Sequence, residues 1–169
     1  MTSNPGETRR PVGAHRQDHD GVGRGTAVQA AAKAVSIVFL LVGVLGFIPG
    51  ITSDYDSMTF AGHESGAMLL GIFQVSILHN IVHLLFGVVG YALSRTASGA
   101  RNFLIGGGIV YLLLTLYGLL IDKESAANFV PLNTADDWLH LVLGLGMIGL
   151  GFALRPQHRE TPVSRGAVR

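Results

Sequence analysis

Four long stretches of the chain, Ala34–Ser53, Ser65–Ser94, Asn102–Ile121 and Trp138–Leu154, contain no Asp, Glu, Lys or Arg and are filled mostly by apolar residues. A helix rises 1.5 Å per residue, so about 20 apolar residues cross roughly 30 Å of hydrocarbon. The pattern predicts four membrane-spanning helices, over about residues 31–51, 66–94, 102–121 and 136–154. The second stretch exceeds what a crossing needs, so it either begins as interfacial structure around Gly66 to Gly71 or tilts. The fourth is the shortest, with Asp136 and Asp137 at one interface and Arg155 at the other.

Within each predicted helix, small and polar residues recur at three- and four-residue steps and so share one face. The sets are Ser36, Phe39, Gly43, Gly46 and Gly50; Ser76, Asn80, His83, Gly87 and Gly90; Gly108, Tyr111, Thr115, Gly118 and Asp122; and Asp137, His140, Gly144 and Gly151. In lipid, Leu against Leu gains little over Leu against an acyl chain, and faces with small residues are the ones that pack. The expected architecture is all-α, a left-handed four-helix transmembrane bundle. A second regularity lies on top of the stripes. Asn80-Ile-Val-His83-Leu-Leu-Phe-Gly87 matches Asp137-Trp-Leu-His140-Leu-Val-Leu-Gly144 at an offset of 57, and Phe39 and Gly46 fall against Tyr111 and Gly118 at an offset of 72. Both second helices run in the same direction, so the bundle is expected to consist of two parallel two-helix pseudo-repeats about an axis along the membrane normal.

Composition agrees with this and adds an orientation. Of 169 residues, 49% are hydrophobic and 14% charged, too apolar a balance for an ordinary soluble domain of that length. Eleven of the twelve basic residues precede the first span, join the second to the third or follow the fourth; only Lys123 lies in the other two loops, with Asp54, Asp56, Glu64, Asp122, Glu124, Asp136 and Asp137. Basic loops stay inside, so both termini and the Arg95–Arg101 turn are expected in the cytoplasm, in a multi-pass protein of the cell membrane. Residues 1–27 and 156–169, poor in large apolar side chains, are expected as disordered cytoplasmic tails around a domain at 28–155. The Arg9-Arg10 pair is not followed by the apolar segment and cleavage site of an export signal. Zero cysteines exclude disulfides and thiolate metal sites.

Three runs carry a resemblance: Phe39-Leu-Leu-Val-Gly-Val-Leu-Gly-Phe-Ile-Pro-Gly, Phe73-Gln-Val-Ser-Ile-Leu-His-Asn-Ile-Val-His-Leu-Leu-Phe-Gly, and Pro131-Leu-Asn-Thr-Ala-Asp-Asp-Trp-Leu-His-Leu. Over roughly residues 30–155 the chain resembles the bacterial membrane family catalogued as domain of unknown function 4383. The resemblance implies a four-span bacterial membrane protein of actinobacterial type and implies no activity.

Candidate chemistry concentrates at one depth. His79 and His83 share a helical face, and counting at 1.5 Å per residue from Arg95 and Arg155 puts His79, His83 and His140 at similar heights in the outer half of the membrane. Thr115 and Tyr117 reach the same layer, beside Asn80. Ionisable groups at that depth default to a functional hypothesis. As a structural layer, these groups would hydrogen-bond across helices and fix the register of the bundle. As a metal site, the three imidazoles suit zinc, copper or iron. As a bis-histidine haem site, His83 and His140 would be the ligands, with Gly87 and Gly144 leaving room for the porphyrin. Ser53-Asp54-Tyr55-Asp56-Ser57 lacks the ligands of a calcium loop and reads as a solvated acidic segment. Thr134-Ala-Asp-Asp137 reads as a capping box and Trp138 as an interface anchor. Gly106-Gly-Gly108 follows no strand and lacks the Lys-Ser/Thr of a nucleotide loop.

No Ser/His/Asp order, paired membrane carboxylates or nucleotide motif points to catalysis. The reading that results is a non-enzymatic scaffold or accessory subunit without a required cofactor. The alternatives are a metal- or haem-binding protein of electron or proton transfer and a small transporter formed by oligomerisation. The expected partners are the lipid bilayer and other membrane proteins or further copies of the chain. Nucleic acid is not expected, since the basic residues of the tails set topology and touch anionic lipid.

Overall fold

A computed structural model of the chain describes residues 19–154, with side chains from Ala27 onward. The expected tails at 1–18 and 155–169 lie outside the described residues. Four helices carry the fold: α1 (His19–Leu45), α2 (Ile77–Leu93), α3 (Ala97–Leu120) and α4 (Thr134–Ala153). Residues 19–27, expected as the end of the tail, belong to α1; no proline falls between Pro11 and Pro49 to interrupt it.

Each helix boundary has a local cause. Leaving α1, the chain meets Gly46, Pro49 and Gly50, the last with φ +90°, a conformation that favours glycine. The Thr52 hydroxyl then folds back and donates to the carbonyls of Leu45 and Gly46 at 3.1 and 3.3 Å, satisfying two acceptors freed at the helix end. The first helix therefore stops at Leu45, short of residue 51. Ser76 opens α2, its side chain accepting from His79 N at 3.1 Å, and Thr96 opens α3 through Gly99 N in the same way.

The second helix differs most from the sequence expectation. Its 17 residues begin at Ile77, whereas residues 66–76 form most of a small antiparallel sheet of β1 (Thr52–Ser53), β2 (Met68–Leu69) and β3 (Phe73–Gln74), in that order. The cause lies in Ser65, Gly66 and Gly71, which are poor helix formers, and in a mirror-image turn with positive φ at Leu70 (55°) and Gly71 (70°). Ala67, Leu69 and Val75 make a small apolar core under this hairpin, against Val42 and Leu45 of α1.

α1 packs mainly on α2, α3 packs mainly on α4, and the two pairs meet chiefly through α1 and α3. Gln29, near the start of α1, donates to Arg95 O in the α2–α3 turn at 2.7 Å, while Gly46, at the other end, lies against Asn80 near the start of α2. Hence α1 and α3 run parallel, and α2 and α4 run back beside them. The predicted repeat is visible contact by contact. Gly46 faces the Asn80 side chain, and its counterpart Gly118 faces Asp137; Gly87 faces Leu40, and Gly144 faces Leu112. On the axis between the halves, Phe39 and Tyr111 stack with ring centroids 5.3 Å apart and planes parallel. The remaining core, Val28, Ala32, Ala100, Phe103, Leu104 and Met147, fills the end towards the α2–α3 turn.

Candidate functional site

At the opposite end, each half contributes one histidine at an equivalent position, His83 from α2 and His140 from α4, and each ring sits edge-on to the central aromatic of its own half. His83 meets Phe39 at 5.8 Å between centroids, and His140 meets Tyr111 at 5.0 Å. His79, one turn before His83, stacks on it at 4.6 Å with planes 11° apart. The three residues are 4–7% exposed.

Two cavities flank this group, and both have His79, His83 and His140 in their walls. The larger, about 100 Å³, adds Val42, Phe73, Val75, Leu139 and Asp136; the smaller, about 40 Å³, adds Leu114, Val130, Leu132, Val82 and Tyr111. Val42 with Leu114, Phe73 with Val130, Val75 with Leu132 and Leu139 with Val82 are repeat partners. The cavities are thus the same chamber made twice, with the histidines as the wall between them. The hairpin closes the larger one through Leu69 and Leu70.

None of the three histidines uses Nδ1. Each Nδ1 is buried without a hydrogen-bond partner, so the layer is held by ring packing rather than by hydrogen bonds of those atoms across helices. Among the described residues, no three His, Cys, Asp or Glu side chains are grouped to hold a metal ion. The near-parallel stacking of His79 on His83 presents one imidazole face to another, which is not how two nitrogens converge on a shared ion. Nor do Gly87 and Gly144 leave space for a porphyrin. A Cβ at either would stand 2.7 Å from Leu40 or Leu112, so both glycines serve helix contact.

The polar residues expected beside the histidines divide. Asn80 is fully buried; its amide lies 3.9 Å from Met58 Sδ, and its Oδ1 has no partner. Thr115 is also buried but bonds back to Tyr111 O at 3.0 Å within α3, with a longer 3.5 Å contact to Asp137 O. Tyr117 stands apart from the layer. Its hydroxyl donates to Ala127 O and its ring meets Phe129 in the α3–α4 loop.

Two residues of the site escaped the sequence reading as site residues. Tyr111 occupies the place assigned to Tyr117, and Asp136, at the start of α4, also lines the larger chamber. The cap of α4 is one residue earlier than expected: Asn133 accepts from Asp136 N, and Asp136 Oδ2 accepts from Asn133 N at 3.0 Å and from Gln74 N at 3.1 Å. One carboxylate therefore caps α4 and fastens the hairpin to it. Asp137, also buried, pairs with Lys123 at 2.6 Å.

The model of the family described as Domain of unknown function (DUF4383) matches residues 29–153. No curated protein and no solved structure matches the chain.

Proposed function

Because the chain belongs to the DUF4383 family, whose description carries no activity, we propose from its geometry that it is a multi-pass integral protein of the cell membrane, a non-enzymatic scaffold or accessory subunit. Both termini lie in the cytoplasm in this reading. One observation carries it: the bundle is inverted relative to a water-soluble one. Leu41 of α1, Leu85 and Val88 of α2, Leu113 and Leu116 of α3 and Val142 of α4 are half or more exposed, while His83, Asn80, Thr115 and His140 are buried. Soluble monomers rarely expose contiguous apolar surface of more than a few hundred Å². Two helical segments, Ala27–Leu45 and Ala97–Leu120, are long and apolar enough to cross a membrane, and α2 is a shorter apolar helix.

Charge supports the orientation. Arg95 and Arg101 lie at the end of the bundle where α1 and α3 begin; Asp54, Asp56, Glu64, Asp122 and Glu124 lie at the other. For a non-enzymatic role, the support is the histidines themselves, whose unpaired Nδ1 atoms build no oriented acid–base couple through that nitrogen. Fractionation tests the proposal: the protein should stay in the membrane pellet after alkaline carbonate washing and dissolve only with detergent. Recovery in the soluble fraction without detergent would refute it.

A further inference from the structure

Residues 65–76 carry no Asp, Glu, Lys or Arg, although the loop before them carries Asp54, Asp56 and Glu64. Within this uncharged segment the hairpin turns at Leu70 and Gly71, and its tip is apolar. Leu70 is 60% exposed and Ile72 52%. A mirror-image turn in water is ordinarily made by Asn, Asp or Gly, which tolerate positive φ; here a leucine takes that place at φ 55° with more than half of its surface uncovered.

The backbone of the turn leans on the protein rather than on water. Leu70 N donates to Ile51 O at 2.9 Å, Gly71 N to Met68 O at 3.2 Å, Ile72 N to Leu69 O at 3.1 Å and Val75 N to Ala67 O at 3.0 Å. Gln74 N donates to Asp136, and Ile72 O accepts from Asn133 Nδ2 at 2.7 Å. Hydrocarbon tolerates non-helical backbone only where its polar groups are satisfied from within, and this turn meets that condition.

Position points to the same medium. α1 and α4 touch little, and the hairpin lies over the gap between them: its Leu69, Leu70 and Phe73 share a wall with Val42 and Leu45 of α1 and Leu139 of α4. Leu45 ends the apolar run Ala27–Leu45, whose 19 residues cover about 28 Å, so Leu70 stands at the outer edge of ~30 Å of hydrocarbon. The 17 residues of α2 cover only about 26 Å, and the hairpin supplies the rest. Trp138, near the start of α4, is 64% exposed, as suits an interface anchor. Phe129, the repeat partner of Ile72, is exposed in the other half, each standing five positions before its helix.

We propose that the hairpin is a lipid-facing element: Leu70 and Ile72 sit among the acyl chains just beneath the outer headgroups, and the hairpin seals the α1–α4 gap against the bilayer. This rests on the membrane reading above and adds which part of the outer end lies in lipid. Trp138 is the chain's one tryptophan, so Trp138→Phe provides a silent background for single indoles. These are placed by Leu70→Trp, by Val142→Trp on the exposed middle of α4, and by Asp56→Trp in the acidic loop. Full-length protein is reconstituted into phosphatidylcholine vesicles whose acyl chains carry bromine either just below the headgroup or near the chain end, and acrylamide probes the water side. The indole at position 70 should lose most intensity with the shallow bromines and be protected from acrylamide. The one at 142 should respond to the deep bromines, and the one at 56 to acrylamide alone. Ile72→Trp, at a position without positive φ, carries the test if Leu70→Trp does not melt cooperatively. Quenching of the tip by acrylamide and not by bromolipid would put it in water; protection from both would mean that protein, such as a second copy, covers it. Either result overturns the proposal. If position 142 still responds to bromolipid, the membrane reading stands; if it does not, both fall.

Discussion

Lys123 and Asp137 form the one salt bridge among the described residues, and the repeat shows what it replaces. In the first half Asn80 stands where Asp137 stands in the second, packed on Gly46 with no lysine beside it. Removing one partner of a buried pair leaves a charge uncompensated. Lys123→Met should therefore cost about 3 kcal/mol, the low end for a buried pair because the lysine side chain is 28% exposed. Adding Asp137→Asn should recover much of that loss by reproducing the first half, and chemical denaturation of the three proteins measures it. A double variant no more stable than Lys123→Met would mean that the pair carries no such strain. The histidines invite a second comparison. Since His83 is held by its rings' contacts with Phe39 and His79, His83→Phe should stay within about 1 kcal/mol of the parent, whereas His83→Gln, which loses the ring, should cost more. The opposite order in thermal melts would restore hydrogen bonding as what the layer contributes. Helical spacing made the meeting of His79, His83 and His140 legible, because depth in a helix is arithmetic. It favoured Tyr117 over Tyr111, which counted from Arg101 lies six residues, roughly 9 Å at 1.5 Å per residue, nearer the α2–α3 turn; depth carries nothing about rotation around the helix, and it is Tyr111 whose ring meets His140. Asp136 was missed because charge next to a helix start reads as an interface; its repeat partner, His79, was the available signal.

Among the elements, the small-residue stripes were legible and the hairpin only in part. A Cβ on Gly144 would stand 2.7 Å from Leu112, while Val142, two residues away, is 67% exposed. Gly144→Leu should destabilise the bundle by roughly 1–3 kcal/mol through overpacking, and Val142→Leu should change little. Similar melting temperatures for the two variants would show the face to be misassigned. Absence of charge defined Ser65–Ser94 as one stretch, but absence of charge does not distinguish a helix from a buried hairpin. Ser65, Gly66, Gly71 and Ser76 do, through their weak helix propensity and their turn and capping chemistry. The start of α4 shows the same limit at finer scale. Both Asn133 and Thr134 can cap a helix, and it is Gln74, 62 residues away in sequence, that helps fix Asp136 and so favours Asn133.

At the level of the whole molecule, the two halves repeat as sequence offsets of 57 and 72 predicted, with Phe39 on Tyr111 at the axis and His83 and His140 between twin chambers. Offsets alone could not show that the chambers are unequal, because that depends on which side chains fill each copy. The repeat has a consequence for topology: parallel halves place the starts of α1 and α3 at one face and the starts of α2 and α4 at the other. Reporter fusions test the resulting account most directly. A reporter active only outside the cytoplasm should be silent when fused after Ala97, beside the Arg95–Arg101 turn, and active when fused after Ser125, in the acidic α3–α4 loop. The reverse pattern would contradict the orientation, and equal activity at both sites would contradict the four-span bundle.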